Sequence, residues 1–149
     1  MKMFGFAVLF ISLSLLFTTG AQARNDAHFF SIQDAVKTAE NRSSFSKGIK
    51  FYFADQPHPA VEATLSQGVV AYKKGSISDR TEVEACNRTF LAALAQLQAR
   101  ARKVGGNAII NIESYYKKTS FKSNDQYECR VGSARTGVML RGDIVKLKN

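Results

Sequence analysis

The sequence predicts an α+β fold: one long amphipathic helix packed on a small, mostly antiparallel sheet of three to five strands, preceded by a short N-terminal helix or arm. Three observations predict it. Residues 79–104 carry one apolar stripe at helical spacing, running from Val83 through Cys86, Phe90, Leu94, Leu97 and Ala101 to Val104. Short runs rich in aromatic and β-branched residues stand on both sides of that stripe. Between the helix and the next such run lies Gly105-Gly106, where the chain can stop a helix and reverse with no Cβ in the way. A strand that falls back beside an amphipathic helix gives two layers around one core.

Residues 1–23 are set apart from the fold. Lys2 is a positive lead, Phe4 to Phe17 is an almost unbroken apolar run, and Ala21-Gln22-Ala23 has the A-x-A form of a cleavage site, which together predict a signal peptide. The apolar run is shorter than the roughly 20 residues that a spanning helix needs. No cysteine stands at the cleavage point, so neither a lipid anchor nor a membrane anchor is expected after signal cleavage.

The elements follow in order. Residues 24–48 are polar, with one weak helical signal: Ser31 can cap a short segment that puts Ile32, Ala35, Val36 and Ala39 on one face. The alternative is a loose arm, because residues 41–46 dissolve the pattern. Residues 49–149 form a single α+β domain. Within it, residues 49–54 (IKFYFA) are a strand, closed by Gln56-Pro57-His58-Pro59, whose prolines cannot join a ladder. Residues 64–73 (TLSQGVVAYK) are a second strand with a bulge at Gly68.

The helix starts from a capping-box pattern, Asp79-x-x-Glu82. It ends with Arg100, Arg102 and Lys103 placed against its dipole. Past Gly105, Gly106 and Asn107, residues 107–116 make an interior strand in which Ala108, Ile110 and Ile112 alternate with Ile109, Asn111 and Glu113. Residues 117–126 (KKTSFKSNDQ) form a hairpin tip. Glycines split the last region into strands near 127–133 and 136–146.

Cys86 and Cys129 are the only cysteines. In an exported chain the expected state is one disulfide. Closing a loop of roughly forty residues removes denatured-state entropy worth about 4 kcal/mol in the chain-entropy model. The alternative, a free nucleophilic or metal-binding pair, needs helpers that the sequence scarcely provides. Its two histidines are His28, near the mature terminus, and His58, between two prolines. The spacing of the cysteines and histidines matches no zinc pattern. No G-x-x-x-x-G-K-[ST] loop is present to wrap phosphates, so an ATPase reading finds no support. The residues therefore imply no catalytic set, no metal and no cofactor.

The net charge of +9 favours lipid head groups, anionic envelope polymers or nucleic acid as partners, unless the charge only keeps the chain soluble. The basic and aromatic set Tyr72, Lys73, Lys74, Tyr115, Tyr116, Lys117, Lys118, Phe121, Lys122 and Tyr127 is the candidate binding surface. Aromatics interleaved with cations suit stacking on bases or sugars while lysines hold anions. Equally, the tyrosines can close the edge of the core while the lysines guard a sheet edge against pairing. Glu113, Asp125 and Glu128 read as ion-pair partners for Lys117, Lys118 or Arg130.

Two stretches carry a resemblance. ALAQLQARARKVGGNAIINIESYY at 93–116 and CRVGSARTGVMLRGDIVKL at 129–147 resemble the YbjQ-like small α+β domains. They are also similar to the periplasmic domain of the Rcs-system outer-membrane sensor lipoprotein, the RcsF-like fold. The likeness covers roughly residues 65–147 and is most specific at Gly105-Gly106-Asn107-Ala108. It implies a disulfide-bonded exported domain, in which Cys86 and Cys129 correspond to one of the sensor's bridges. The chain departs from the sensor in having no lipid-attachment cysteine, no proline-rich linker and no second cysteine pair. A full stress-signalling role therefore does not carry over.

The expectation is an exported bacterial envelope protein, periplasmic or secreted beyond the outer membrane. It would be non-enzymatic and act in envelope stress or homeostasis by binding an envelope protein or an anionic envelope component. Homo-oligomer assembly through sheet edges, as in YbjQ-like domains, stays open. One alternative is a binder of nucleic acid or anionic polymer through the basic-aromatic hairpin. Another is a thiol-dependent redox sensor or enzyme.

Overall fold

The computed structural model describes residues 22–39, 45 and 47–149; residues 1–21 of the expected signal peptide lie outside the described residues. The described chain is α+β. Its six strands are β1 (Asp26–Ser31), β2 (Lys50–Phe53), β3 (Val61–Ser76), β4 (Ala108–Ser114), β5 (Gln126–Val131) and β6 (Arg135–Leu147). The helices are α1 (Ile32–Lys37) and α2 (Glu82–Lys103). All six strands belong to one sheet, larger than the three to five strands expected.

The added strand is β1, within the segment read as a weak helix or an arm. It pairs antiparallel with β5 along its whole length, from Asp26 opposite Val131 to Ser31 opposite Gln126. DAHFFS has no apolar alternation to announce a strand, so the pairing is decided by its neighbour. Ser31 then caps α1 as expected, accepting from the Asp34 amide at 3.1 Å, and Ile32, Ala35 and Ala39 are buried.

β6 organises the sheet. One of its edges is filled by β3, paired from Val61 opposite Leu147 to Ser76 opposite Arg135. Its other edge is shared end to end: β5 takes Thr136 and Gly137, and β4 takes residues 140–145. β4 and β5 are therefore two lengths of one line. Residues 117–126, read as a hairpin tip, instead belong mostly to an excursion from that line at 115–125, closed at its neck by paired bonds between Ser114 and Phe121. A hairpin would need β4 and β5 side by side, and both are already committed to β6. β2 lies outside β4 in the only parallel pairing among the described residues, which leaves β4 interior as expected.

Helix α2 begins two residues later than the Asp79-x-x-Glu82 pattern implied. Thr81 is the N-cap: its hydroxyl accepts from the Glu84 amide at 3.3 Å, and Glu84 accepts from the Thr81 amide at 2.9 Å. Both tetrads fit a capping box, and Asp79 is left in a turn with φ of 59°. Glu82 meets Arg24 at 2.8 Å instead. The stripe Cys86, Phe90, Leu94, Leu97 and Ala101 is buried, whereas its ends Val83 and Val104 are 43% and 46% exposed because the sheet does not reach them.

The double glycine at the end of α2 serves two purposes. Gly105 has φ of 78° and donates to Arg102, while Gly106 donates to Ala101 at 2.9 Å, which makes a Schellman ending. Gly106 has no need of positive φ. A Cβ there would stand 2.7 Å from Ile144 Cγ2, so its role is close approach to β6. Asn107 completes the joint: its amide side chain donates to the Leu147 carbonyl and accepts from the Leu147 amide, at 3.0 and 2.7 Å.

Both helices cover one face of the sheet, the inner face. The core there holds Phe53, Phe90, Leu94, Leu97, Ile109, Ile112, Tyr127, Val138, Leu140 and Ile144. Phe90 and Tyr127 stack at 4.0 Å, and the Tyr127 hydroxyl donates to Asn87 at 2.6 Å. Each large side chain buried this way contributes about 2 kcal/mol. The expected bridge joins Cys86 of α2 to Cys129 of β5 inside this layer, with both residues fully buried.

The alternation expected along β4 breaks at Asn111, which has φ of 54°. The pairing with β6 slips between Ile110 and Glu113, so Ile109 and Ile112 both face the helix. Ala108 and Ile110 face outward, where they form a small second cluster with Val145 and Leu147. Two isoleucines then converge on Gly142. A Cβ there would stand 2.8 Å from Ile109 and 3.2 Å from Ile112.

Candidate binding surface

The face of the sheet turned away from the helices carries the basic and aromatic residues. Side chains alternate along a strand, so with Ala71 in the core, Tyr72 and Lys74 of β3 point outward and Lys73 points to the helix side. On β5 the outward residues are Glu128 and Arg130, and on β6 they are Met139, Arg141 and Asp143. β3 and β4 are not neighbours, since β6 runs between them. Tyr72 and Tyr116 are nevertheless close enough to interact. The Tyr72 phenol is held above its ordinary pKa, first by loss of solvent and second by the Tyr116 phenol.

Three tyrosines organise the face, each against a cation. Lys74 Nζ lies 5.6 Å from the Tyr72 ring centre. Tyr116 lies between Lys117, at 5.7 Å, and Arg130, at 4.5 Å, and Asn25 donates to its hydroxyl at 3.2 Å. Tyr115 lies under the Arg141 guanidinium at 3.7 Å. Such contacts contribute about 0.5–1 kcal/mol each at exposed positions. The excursion is anchored by Phe121, which packs on Phe29 of β1 with ring centres 4.5 Å apart.

Two carboxylates beneath the rings hold the arginines. Glu128 pairs with Arg130 at 2.5 Å, as the sequence pairing anticipated. Glu113 pairs with Arg141, a partner the sequence reading did not name. Among the described residues Lys74, Lys117, Lys118 and Lys122 form no ion pair. Lys117 and Lys118 both have left-handed backbone, with φ of 48° and 64°, where the excursion makes a tight turn.

The candidate set is thus mostly gathered. Tyr72, Lys74, Tyr115, Tyr116, Lys117 and Lys118 lie around the outer face, Phe121 anchors the excursion, and Lys122 lines a cavity beside it. Lys73 is on the helix side, and Tyr127 is buried in the core, where burial pushes its phenol up. Arg141 and Phe29 were missed, and Arg130 was read only as an ion-pair partner. The arginines' signal is polar-apolar alternation within 127–131 and 138–144, which becomes legible once one face is known to be the core. His28 lies 4.0 Å from Glu82, and His58 contacts the Pro59 carbonyl at 2.8 Å.

Comparison of the chain with protein-family models, with curated proteins and with solved structures found no match.

Proposed function

We propose that the chain is an exported, non-enzymatic binding domain of the bacterial envelope that meets an anionic envelope component through the open face of its sheet. The observation that carries this reading is a pair of lysines without ion pairs, Lys74 and Lys117, held against the rings of Tyr72 and Tyr116. A lysine held against a ring keeps its charge available while the ring offers apolar surface, the combination found where amphipathic proteins meet head groups. Export is supported by the signal-like leader and by a disulfide, the cysteine state that persists in oxidising compartments. Among the described residues no helix is long and apolar enough to cross a membrane. The resemblance to YbjQ-like and Rcs-sensor domains points the same way.

The closed, fully buried sulfurs speak against the thiol-dependent alternative, because a thiolate nucleophile needs an accessible reduced cysteine. The nucleic-acid alternative draws on the same tyrosines and lysines and is separated by experiment. Co-sedimentation with phosphatidylglycerol vesicles, with phosphatidylcholine vesicles and with a single-stranded oligonucleotide, each at rising salt, does so. Binding to the anionic vesicles alone is expected, each lysine replaced by alanine at 74 or 117 costing about 1 kcal/mol. Equal binding to neutral vesicles, or lysine variants that bind as before, would refute the reading. Preference for the oligonucleotide would transfer the surface to nucleic acid.

A further inference from the structure

Helix α1 and strand β2 flank an open groove of about 790 Å³. One end is pinned. The first residue of α1, Ile32, donates to the Asp125 carbonyl at 2.8 Å. Just past β2, the Asp55 amide donates to Asn124 Oδ1 at 3.1 Å and Gln56 Nε2 donates to the Asn124 carbonyl at 3.0 Å. The two elements therefore run in opposite directions, and the last residue of α1, Lys37, falls with the first of β2, Lys50, at the other end of the groove. Between the ends the lining is apolar, from Ile32, Val36, Phe45, Ile49 and Phe51.

We infer that this groove is a docking site for an extended peptide of a partner protein, laid antiparallel to β2 with its carboxyl end at Lys37 and Lys50. The first observation is the free edge of β2, the last strand on its side of the sheet. The amides of Lys50 and Ala54 donate toward β4, to the Asn107 and Ile112 carbonyls at 3.0 and 2.9 Å. Backbone groups alternate between the two edges of a strand, so Phe51 and Phe53 present theirs to the open side. Phe53 is sealed by Gln56, whose Oε1 accepts from the Phe53 amide at 2.8 Å and whose own amide donates to the Phe53 carbonyl at 2.9 Å. Phe51 has no such guard: among the described residues nothing bonds its amide or carbonyl on that edge. An unguarded donor and acceptor beside an apolar groove is what a peptide adding a strand requires, since one residue in antiparallel register exchanges both bonds. An acyl chain would fill the same space and leave both groups unmet.

Charge sets the direction. Lys50 forms no ion pair among the described residues, and Lys37 has only Asp34, at 4.0 Å. Asp125 stands at the pinned end. A carboxylate at the lysine end and a cation at the Asp125 end complement the groove, and a peptide ending at the lysines runs against β2. The four residues of β2 span about 13 Å, so roughly four peptide residues are read, alternate side chains facing the apolar lining. This site is separate from the tyrosine-bearing face.

The test is titration of the 15N-labelled chain with the peptide acetyl-Lys-Val-Thr-Val-Thr-Val, its carboxyl terminus free, followed through the amides of Ile49 and Phe51. Beside it are run the same peptide N-methylated at both central residues, which keeps every side chain but removes backbone donors, and sodium dodecanoate. Saturable shifts with the unmodified peptide are expected, with binding at least tenfold weaker after N-methylation. Lys37→Glu with Lys50→Glu, both at exposed positions, should weaken binding about tenfold. Lys74→Ala should leave it unchanged, so this site and the proposed anionic-surface contact fail independently. No saturable shift, equal binding of the N-methylated peptide, dodecanoate binding as tightly at the same amides, or full binding by the double glutamate variant would overturn the proposal.

Discussion

The two faces of this sheet are built by different rules. On the inner face Ile109, Ile112, Val138, Leu140 and Ile144 fill volume against α2, and many neighbours share the work of holding each in place. On the outer face Arg141 lies between Glu113 and Tyr115, and Arg130 between Glu128 and Tyr116, so each side chain depends on one or two named partners. Apolar burial is non-directional and sums over area, whereas a guanidinium between a ring and a carboxylate works through geometry. Inner-face changes should therefore register as lost stability. Outer-face changes should register as lost positioning, except where they strand a buried charge.

The largest expected effect comes from removing the inner staple. Cys86→Ala with Cys129→Ala opens a bridge that spans a sequence separation of 43. It should cost about 4 kcal/mol, seen as a fall in the denaturant midpoint. Phe90→Ala, which leaves Tyr127 without its stacking partner, should cost about 3 kcal/mol in the same assay. An outer-face exception sharpens the contrast. Arg141→Met leaves Glu113 buried without its counter-charge and should cost about 2 kcal/mol, largely recovered when Glu113→Gln is added. Loss of less than 0.5 kcal/mol would show that Glu113 is not held as described.

Smaller effects test the rim of the comparison. Thr81→Ala removes the helix cap and should cost about 1 kcal/mol. The Glu84 carboxyl is held below its ordinary pKa, first by the Thr81 backbone amide and then by the Thr81 side chain. A depressed carboxylate stabilises the fold above its unfolded pKa and loses that contribution as pH falls through the folded value. The stability gap between the parent chain and Glu84→Gln should therefore be present at neutral pH and close in acid. Tyr72→Ala should change stability by less than about 0.5 kcal/mol while weakening vesicle binding.

Much of the inner face was legible in the sequence, because one helix carries a periodic stripe and Gly105-Gly106 marks its end. The disulfide followed from there being only two cysteines. The bulge at Gly68 was visible because glycine there tolerates a φ of 60°. The bulge at Asn111 was not, since a period-two reading of AIINIES assigns Ile112 to the wrong face until the slip is seen. The capping box was ambiguous because Asp79-Glu82 and Thr81-Glu84 satisfy the same pattern. β1 was hidden because its polar sequence is made a strand by β5, and the shared edge of β6 was hidden because pairing partners leave no local trace. The candidate surface was found through its tyrosines and lysines. Its arginines were not read as part of it, because they come from strands whose outward side is defined only by the fold.

β6 also sets an order of events. β3, β4 and β5 each bond to it, while β1 and β2 reach the sheet only through β5 and β4. Yet β6 follows all five in the chain. A chain emerging in order from its N-terminus therefore holds its other strands with most of their edges unfilled until residues 135–147 arrive. Long-range pairing of this kind is slow and leaves strand edges exposed in the interval. Under the proposed export, which would require the chain to pass a membrane before folding, that delay would be useful: the same arrangement that joins the finished sheet keeps the unfinished one open.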